Sequence, residues 1–216
     1  MLFRLYCHCK HRYKPPLRRF RAVWRKRGNT VSTRDMVYVA LFAAVVAVLG
    51  LFPPIVLPVV AVPITAQSLG VMVAGSVLGA RRGGLAILLF LILVAVGVPI
   101  LAGGRGGFGV LLGPGGGFLF SWPIAAFLIG LMVERSWHRL NIFVAFLINV
   151  IGGILFVYAC GVPWVAVFAE IGLDKALVGS LGFIPGDLIK AAIAALVATT
   201  LKRAYPIIEA PNRAKA

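Results

Sequence analysis

The chain has 216 residues, 61% of them hydrophobic and 13% charged, with a mean hydropathy of +0.98. A soluble domain of this length does not carry that composition. A polytopic membrane protein does, with room for about six helical spans of about 20 residues each and none for a second soluble domain. The formal net charge of +16 would suit a nucleic-acid partner, but eleven of the 22 Lys and Arg precede Met36 and the rest fall mainly at segment boundaries, a topology signal rather than a nucleic-acid footprint.

Residues 1–34 read as a basic cytoplasmic extension, expected to be disordered and to meet anionic headgroups favourably. Met36 opens the first apolar helix and offers an alternative start. Cys7-His8-Cys9-Lys10-His11 contains zinc-type ligands, but the spaced second pair of a structural zinc site is missing, so no metal is expected. Six apolar segments follow in chain order: Met36 to Leu51, Ile64 to Leu78, Leu85 to Leu101, Phe118 to Val133, Ile142 to Tyr158 and Phe183 to Leu201. The fold expected is all-α, a polytopic membrane protein of six transmembrane helices over residues 35–205, with a short tail at 206–216.

Charge alternates across the connections. The second holds Arg81 and Arg82, the fourth Arg135 and Arg139, and the C-terminal tail Lys202, Arg203, Arg213 and Lys215, on the same side as the eleven of the N-terminal tail. The first connection, Phe52 to Pro63, holds none, the third only Arg105 and the fifth only Lys175. The positive-inside rule then places both termini in the cytoplasm and the first, third and fifth connections outside.

The sixth segment contains the chain's most telling pair. Asp187 and Lys190 lie in Phe183-Ile-Pro-Gly-Asp-Leu-Ile-Lys190, followed at once by an apolar run. Each charge at the centre of a spanning helix costs about 2.5–3.5 kcal/mol on an insertion scale, less near the interface. Spacing i, i+3 sets both on one helix face. They form either a structural ion pair or the two poles of a ligand site, and the general rule for intramembrane ionisable residues favours the site.

The third connection, Ala102 to Gly117, is rich in glycine and contains Gly104-Arg-Gly-Gly-Phe-Gly109. The spacing matches a dinucleotide fingerprint, but membrane spans replace the strand and amphipathic helix that such a site needs. A tight capping loop is the alternative, its backbone N–H groups free to approach a ligand. Arg105, its sole cation, either meets a ligand carboxylate or anchors the loop at headgroups. Gln67 enters the second helix as its main polar side chain, and as a buried amide it needs partners at both ends. Asn149, Tyr158 and Trp164 add polar and aromatic groups near the fifth helix. Ala40/Ala44 and Ala43/Ala47 in the first helix, and Gly75, Gly79 and Gly83 around the second, are spaced for close helix approach, within the chain or onto another membrane subunit. Cys160 reads as a packing residue. No zinc-protease, serine-hydrolase or Walker A pattern is present, so the chain is not expected to be an enzyme or to power transport by itself.

In this order, Ala40-Leu-Phe-Ala-Ala44, Pro63-Ile-Thr-Ala-Gln-Ser-Leu-Gly70, Gly97-Val-Pro-Ile100, Ala102-Gly-Gly-Arg-Gly-Gly107, Gly113-Pro-Gly-Gly-Gly117 and Phe183 to Lys190 make the chain resemble the BioY family. These are the biotin-binding S components of energy-coupling-factor (ECF) vitamin transporters. The resemblance implies biotin uptake across a prokaryotic cytoplasmic membrane, with biotin bound as cargo and no cofactor. It implies as partners a transmembrane T component and two ATPase subunits besides the lipid bilayer, and no nucleic acid; homo-oligomerisation is left open. The family's ligand contacts would fall on Asp187 and Lys190, with Gln67 nearby; Arg105 and Tyr158 are further candidate ligand contacts read from the residues themselves. The loop over the ligand would be Gly103, Gly104, Gly106, Gly107, Gly113 and Gly116, and Ala40 and Ala44 would dock on the T component. The chain departs from the family in having Gly115 where threonine is common, and in its long basic tail. The competing readings are an S component or carrier for another vitamin-like solute, and a membrane scaffold in which Asp187 and Lys190 form a buried pair.

Overall fold

The computed structural model describes residues 32–54, 65–204 and 208, and Thr33 onward forms one compact unit. The Cys7–His11 cluster, nearly all of the basic tail, most of the first connection and nearly all of the C-terminal tail lie outside the described residues. The described chain is helical throughout: α1 Thr33–Leu49, α2 Gln67–Leu78, α3 Ala80–Val96, the one-turn α4 Phe108–Leu111, α5 Gly116–Arg135, α6 Ile142–Asn149, α7 Phe156–Phe168, α8 Leu173–Leu181 and α9 Ile184–Ala204. A wide π turn, Val150–Leu155, joins α6 and α7 into one rod. The described residues contain no β-strand beyond an isolated bridge between Leu101 and Arg105.

Among the described residues, three helices are long and apolar enough to cross a membrane: Gly116–Arg135, the rod Ile142–Phe168, and Ile184–Ala204. At 1.5 Å rise per residue, about 20 residues cover the hydrocarbon thickness of about 30 Å. Helix α5 is central, packing on α2, α3 and α7, while α9 lies against α2 and α6, and α1 against α3. Two apolar cores flank this centre. One gathers Val46, Val71, Ile87, Phe90, Val94 and Trp122, the other Met72, Ile129, Val133, Ile148, Ala191 and Ala195.

Small residues bring the helices together where the spacing leads one to expect it. A Cβ on Gly75 would come within 2.6 Å of the Ala126 carbonyl oxygen, and one on Gly83 within 2.9 Å of that of Ala74. In α1, Ala43 is buried inside the bundle, whereas Ala40 and Ala44 face outward.

One end of the bundle is tied by charge. Arg82 pairs with Asp35 at 2.7 Å and lies over Tyr38. A Glu134 carboxylate oxygen accepts from the Ala80 N–H at 2.9 Å, occupying an orphan donor at the start of α3. Lys202 donates to the carbonyls of Trp137 and Leu140 at 2.6 and 3.1 Å and sits over the Trp137 ring.

Segment boundaries differ from the sequence reading, most of all in the third and fifth segments. Helix α3 begins at Ala80, not Leu85, because Gly79 alone makes the turn at φ 84° and Glu134 caps the new helix, so Arg81 and Arg82 become helical. The fifth segment runs on to Phe168, through Pro163. Proline has no N–H for the Ala159 carbonyl, the usual reason to end a helix there, yet the surrounding packing carries the helix through. Trp164 is therefore a helix residue rather than a loop residue.

Candidate functional site

At the end opposite the charged ties, the starts of α2, α5 and α9, the middle of the α6–α7 rod and the glycine-rich connection enclose a cavity of about 330 Å³. That lies at the small end of the range for small-molecule sites, about 300–1,000 Å³. Leu101, Phe118, Leu119, Trp122 and Val157 give it apolar walls. Its polar groups are Thr65, Ser68, Gln67, Tyr158, Asp187, Lys190 and Arg105.

Asp187 sits in the first turn of α9, heading the buried stripe Ala191, Ala194, Ala195 and Ala198 that packs into the bundle. The same periodicity that buries the alanines buries the carboxylate, which is 8% exposed. Its Oδ1 accepts from Lys190 Nζ at 2.9 Å and its Oδ2 from the Tyr158 hydroxyl at 2.7 Å. Lys190 spends its other two donors on the Thr65 carbonyl at 2.8 Å and Ser68 Oγ at 2.9 Å. This network ties α9 to the start of α2 and to α7. Tyr158 is also held edge-on to Phe118, with centroids 5.9 Å apart. A carboxylate has about four lone-pair sites; donors among the described residues occupy two of them.

Gln67 is fully buried at the first position of α2. Its Nε2 donates to the carbonyls of Val46 and Ile100 at 3.2 and 3.0 Å, and its Oε1 accepts from the Ala102 N–H at 3.0 Å. The amide thus pins the end of α1 and the turn after α3 to the start of α2. Every polar atom of Gln67 is engaged with backbone, so it shapes the cavity wall.

The connection over the cavity is a folded structure. The Leu101–Arg105 bridge closes a tight turn through Gly103 and Gly104, at φ 80° and 68°. Gly107, at φ 93°, donates to the Val94 carbonyl at 2.7 Å. These backbone angles are strained for any side chain-bearing residue. Beyond α4, Gly116 lies so close to the Leu111 carbonyl oxygen that a Cβ would collide with it. Gly106 lies under the Val98 carbonyl, and the Gly113 carbonyl accepts from Trp164 Nε1 at 3.0 Å. Arg105 is exposed at the rim. Its Nε donates to the Ala102 carbonyl at 3.1 Å, and no carboxylate among the described residues pairs with it. Gly115, at the position where a hydroxyl residue was expected, lines the cavity.

The structure therefore gathers Asp187, Lys190, Tyr158, Gln67, Arg105 and Gly113 around one cavity, with the remaining loop glycines shaping its roof. It also brings in Thr65 and Ser68, whose place beside Lys190 no spacing rule reveals, and the apolar walls Leu119, Trp122 and Val157, which in sequence look like any other helix residues. Cys160 is exposed on α7, away from the cavity lining.

Among the described residues, an all-helical bundle with helices of spanning length around a largely apolar cavity of small-molecule size has the architecture of a multi-pass membrane protein. The chain belongs to the BioY family, whose sequence profile matches residues 24–207. It is 50% identical over 185 residues to the biotin transporter BioY of Rhizobium etli, covering 83% of this chain and 99% of that protein. It is 46% identical over 173 residues to the probable biotin transporter BioY of Bacillus subtilis, covering 80% and 92%. Its fold matches the crystal structure of the S-component for biotin from an ECF-type ABC transporter with a TM-score of 0.77 at 34% identity, over 82% of this chain and 94% of that one.

Proposed function

We infer that this chain takes up biotin, holding it in the cavity as cargo and delivering it across the cytoplasmic membrane of a prokaryote. The observation that carries the reading is Asp187: a buried carboxylate with a lysine on one oxygen and a tyrosine on the other, in the wall of a largely apolar cavity. Biotin offers a ureido group with two N–H donors and a carbonyl, an apolar thioether ring and a terminal carboxylate. The free lone pairs of Asp187 and the Tyr158 oxygen accept the two ureido N–H groups. Phe118, Leu119 and Trp122 surround the apolar ring, and Arg105 or roof N–H groups meet the carboxylate. Lys190 reaches the ligand only by exchanging one of its three internal bonds, so its first task is to hold Asp187 in place. Gln67 acts through the roof it positions. The ligand needs no cofactor, and the relatives are named as transporters.

The chain works as an S component with a T component and two ATPase subunits, docking through the outward face of α1 at Ala40 and Ala44. Six segments cross the membrane within residues 35–205, and the 1–34 extension and 206–216 tail both lie in the cytoplasm. Uptake of labelled biotin by biotin-auxotrophic cells, with and without partner genes, tests the function. Uptake that other vitamins compete away equally well would favour a carrier for a different solute. A terminal tag reached from outside intact cells would overturn the topology.

A further inference from the structure

The roof of the cavity is fastened on two sides, and the two fastenings are unequal. On one side, residues 97–107 are tied inward by the buried Gln67 amide, with bonds to Ile100 and Ala102, and by the Gly107 N–H on Val94. The Leu101–Arg105 bridge and the Arg105 bond to Ala102 stiffen that side further. On the other side, residues 108–117 bond mostly among themselves: Gly113 to Val110, Gly116 to Gly113. Among the described residues, the one hydrogen bond joining this half to the α6–α7 rod is Trp164 Nε1–H to the Gly113 carbonyl, at 3.0 Å. The indole also lies against the bare Cα atoms of Gly116 and Gly117, where a Cβ would strike it, and touches Phe120 at 6.0 Å between centroids. Gly113, Pro114 and Gly115 line the cavity directly beneath this contact.

We propose that Trp164 is a positioning residue of the binding site: its indole latches the Gly113–Gly115 stretch of the roof, just before α5, to α7, while Gln67 holds the other half as the fixed side. The ligand enters and leaves through the gap that opens when this one partly buried bond breaks. The asymmetry supplies the argument. Breaking the Trp164 bond exposes one carbonyl at the rim, which water can satisfy, whereas opening the Gln67 side would strand several fully buried polar groups. Gly116 and Gly117 fit the role, because a Cβ at either would strike Trp164 and unseat the indole.

The test compares wild type with Trp164→Phe in the full chain in detergent, by hydrogen exchange and by biotin dissociation. Phenylalanine keeps a ring over Gly116 and Gly117 and removes only the N–H. Amide exchange across 108–117 should rise by about 2- to 10-fold, the worth of one neutral hydrogen bond, with 98–107 unchanged. Gln67→Leu should raise exchange in 98–107 instead. The biotin dissociation rate should rise with Trp164→Phe by the same factor as the exchange, with the order of competing vitamins unchanged. Unchanged exchange in 108–117, an equal rise in both halves, or a fall in melting temperature above about 5 °C would overturn the latch. The proposal rests on the biotin reading only for the rate. Wild-type protein that binds no biotin would refute that reading, while the exchange comparison still decides the latch.

Discussion

Replacing Asp187 with asparagine changes no volume and removes one charge, which makes it the sharpest probe of the polar cluster. The carboxylate accepts from two donors, Lys190 at 2.9 Å and Tyr158 at 2.7 Å, and its side chain is 12% exposed. Asparagine has one oxygen. Turned toward Lys190, it leaves its NH2 group facing the Tyr158 hydroxyl and any ligand N–H, a donor where an acceptor is needed. The ammonium of Lys190, with its side chain 15% exposed, keeps its bonds to Thr65 and Ser68 but loses its counter-charge. Loss of one partner from a desolvated charged pair weakens binding by about 2–5 kcal/mol, roughly 30- to 4,000-fold. Equilibrium binding of labelled biotin to detergent-solubilised Asp187→Asn measures the effect. Affinity within about threefold of wild type, in protein that elutes as a single folded species, would refute the assignment of Asp187.

Adding Lys190→Met to Asp187→Asn removes both charges, and the double variant should be more stable than the sum of the single losses by about 0.5–3 kcal/mol in thermal unfolding. Arg105→Ala should weaken biotin by about 10- to 100-fold, the value of a hydrogen bond to a charged group, and leave a neutral biotin amide unaffected; equal losses would free the carboxylate from Arg105. Gly116→Ala drives a methyl group into the Leu111 carbonyl, and overpacking of this kind destabilises by about 1–3 kcal/mol in a melting experiment. Glu134→Ala removes the acceptor at the start of α3 and should cost about 0.5–2 kcal/mol of stability, with biotin affinity of the folded protein unchanged because the cap lies at the far end of the bundle from the cavity.

The helices were legible because burial in lipid and burial in protein both select long apolar runs, and the spacing of Gly75 and Gly83 marked real close approaches. Asp187 and Lys190 were legible for the converse reason: charge in an apolar run is too unfavourable to persist without a partner. Tyr158 was legible as a candidate aromatic near the fifth helix, but nothing local says that α7 aims its hydroxyl at Asp187 on α9. Position hid other features. Gln67 looked like a ligand group, but its bonds reach Val46, Ile100 and Ala102, partners far away in sequence. Trp164 lay beyond the fifth segment's expected end at Tyr158, whereas tertiary packing carries the helix through Pro163 and turns the indole onto the roof. The π turn at Val150–Leu155 has no sequence signature beyond Gly152 and Gly153, and its place is set by contacts to Ile129 and Met72 across the bundle.

Biotin is the ligand that this cavity is proposed to hold. Equilibrium titration of labelled biotin into the purified chain alone, with other vitamins as competitors, tests that proposal most directly. The account predicts saturable binding at one site per chain, displaced by unlabelled biotin and not by the other vitamins. Folded protein that binds no biotin, or binds it no better than its competitors, would contradict it.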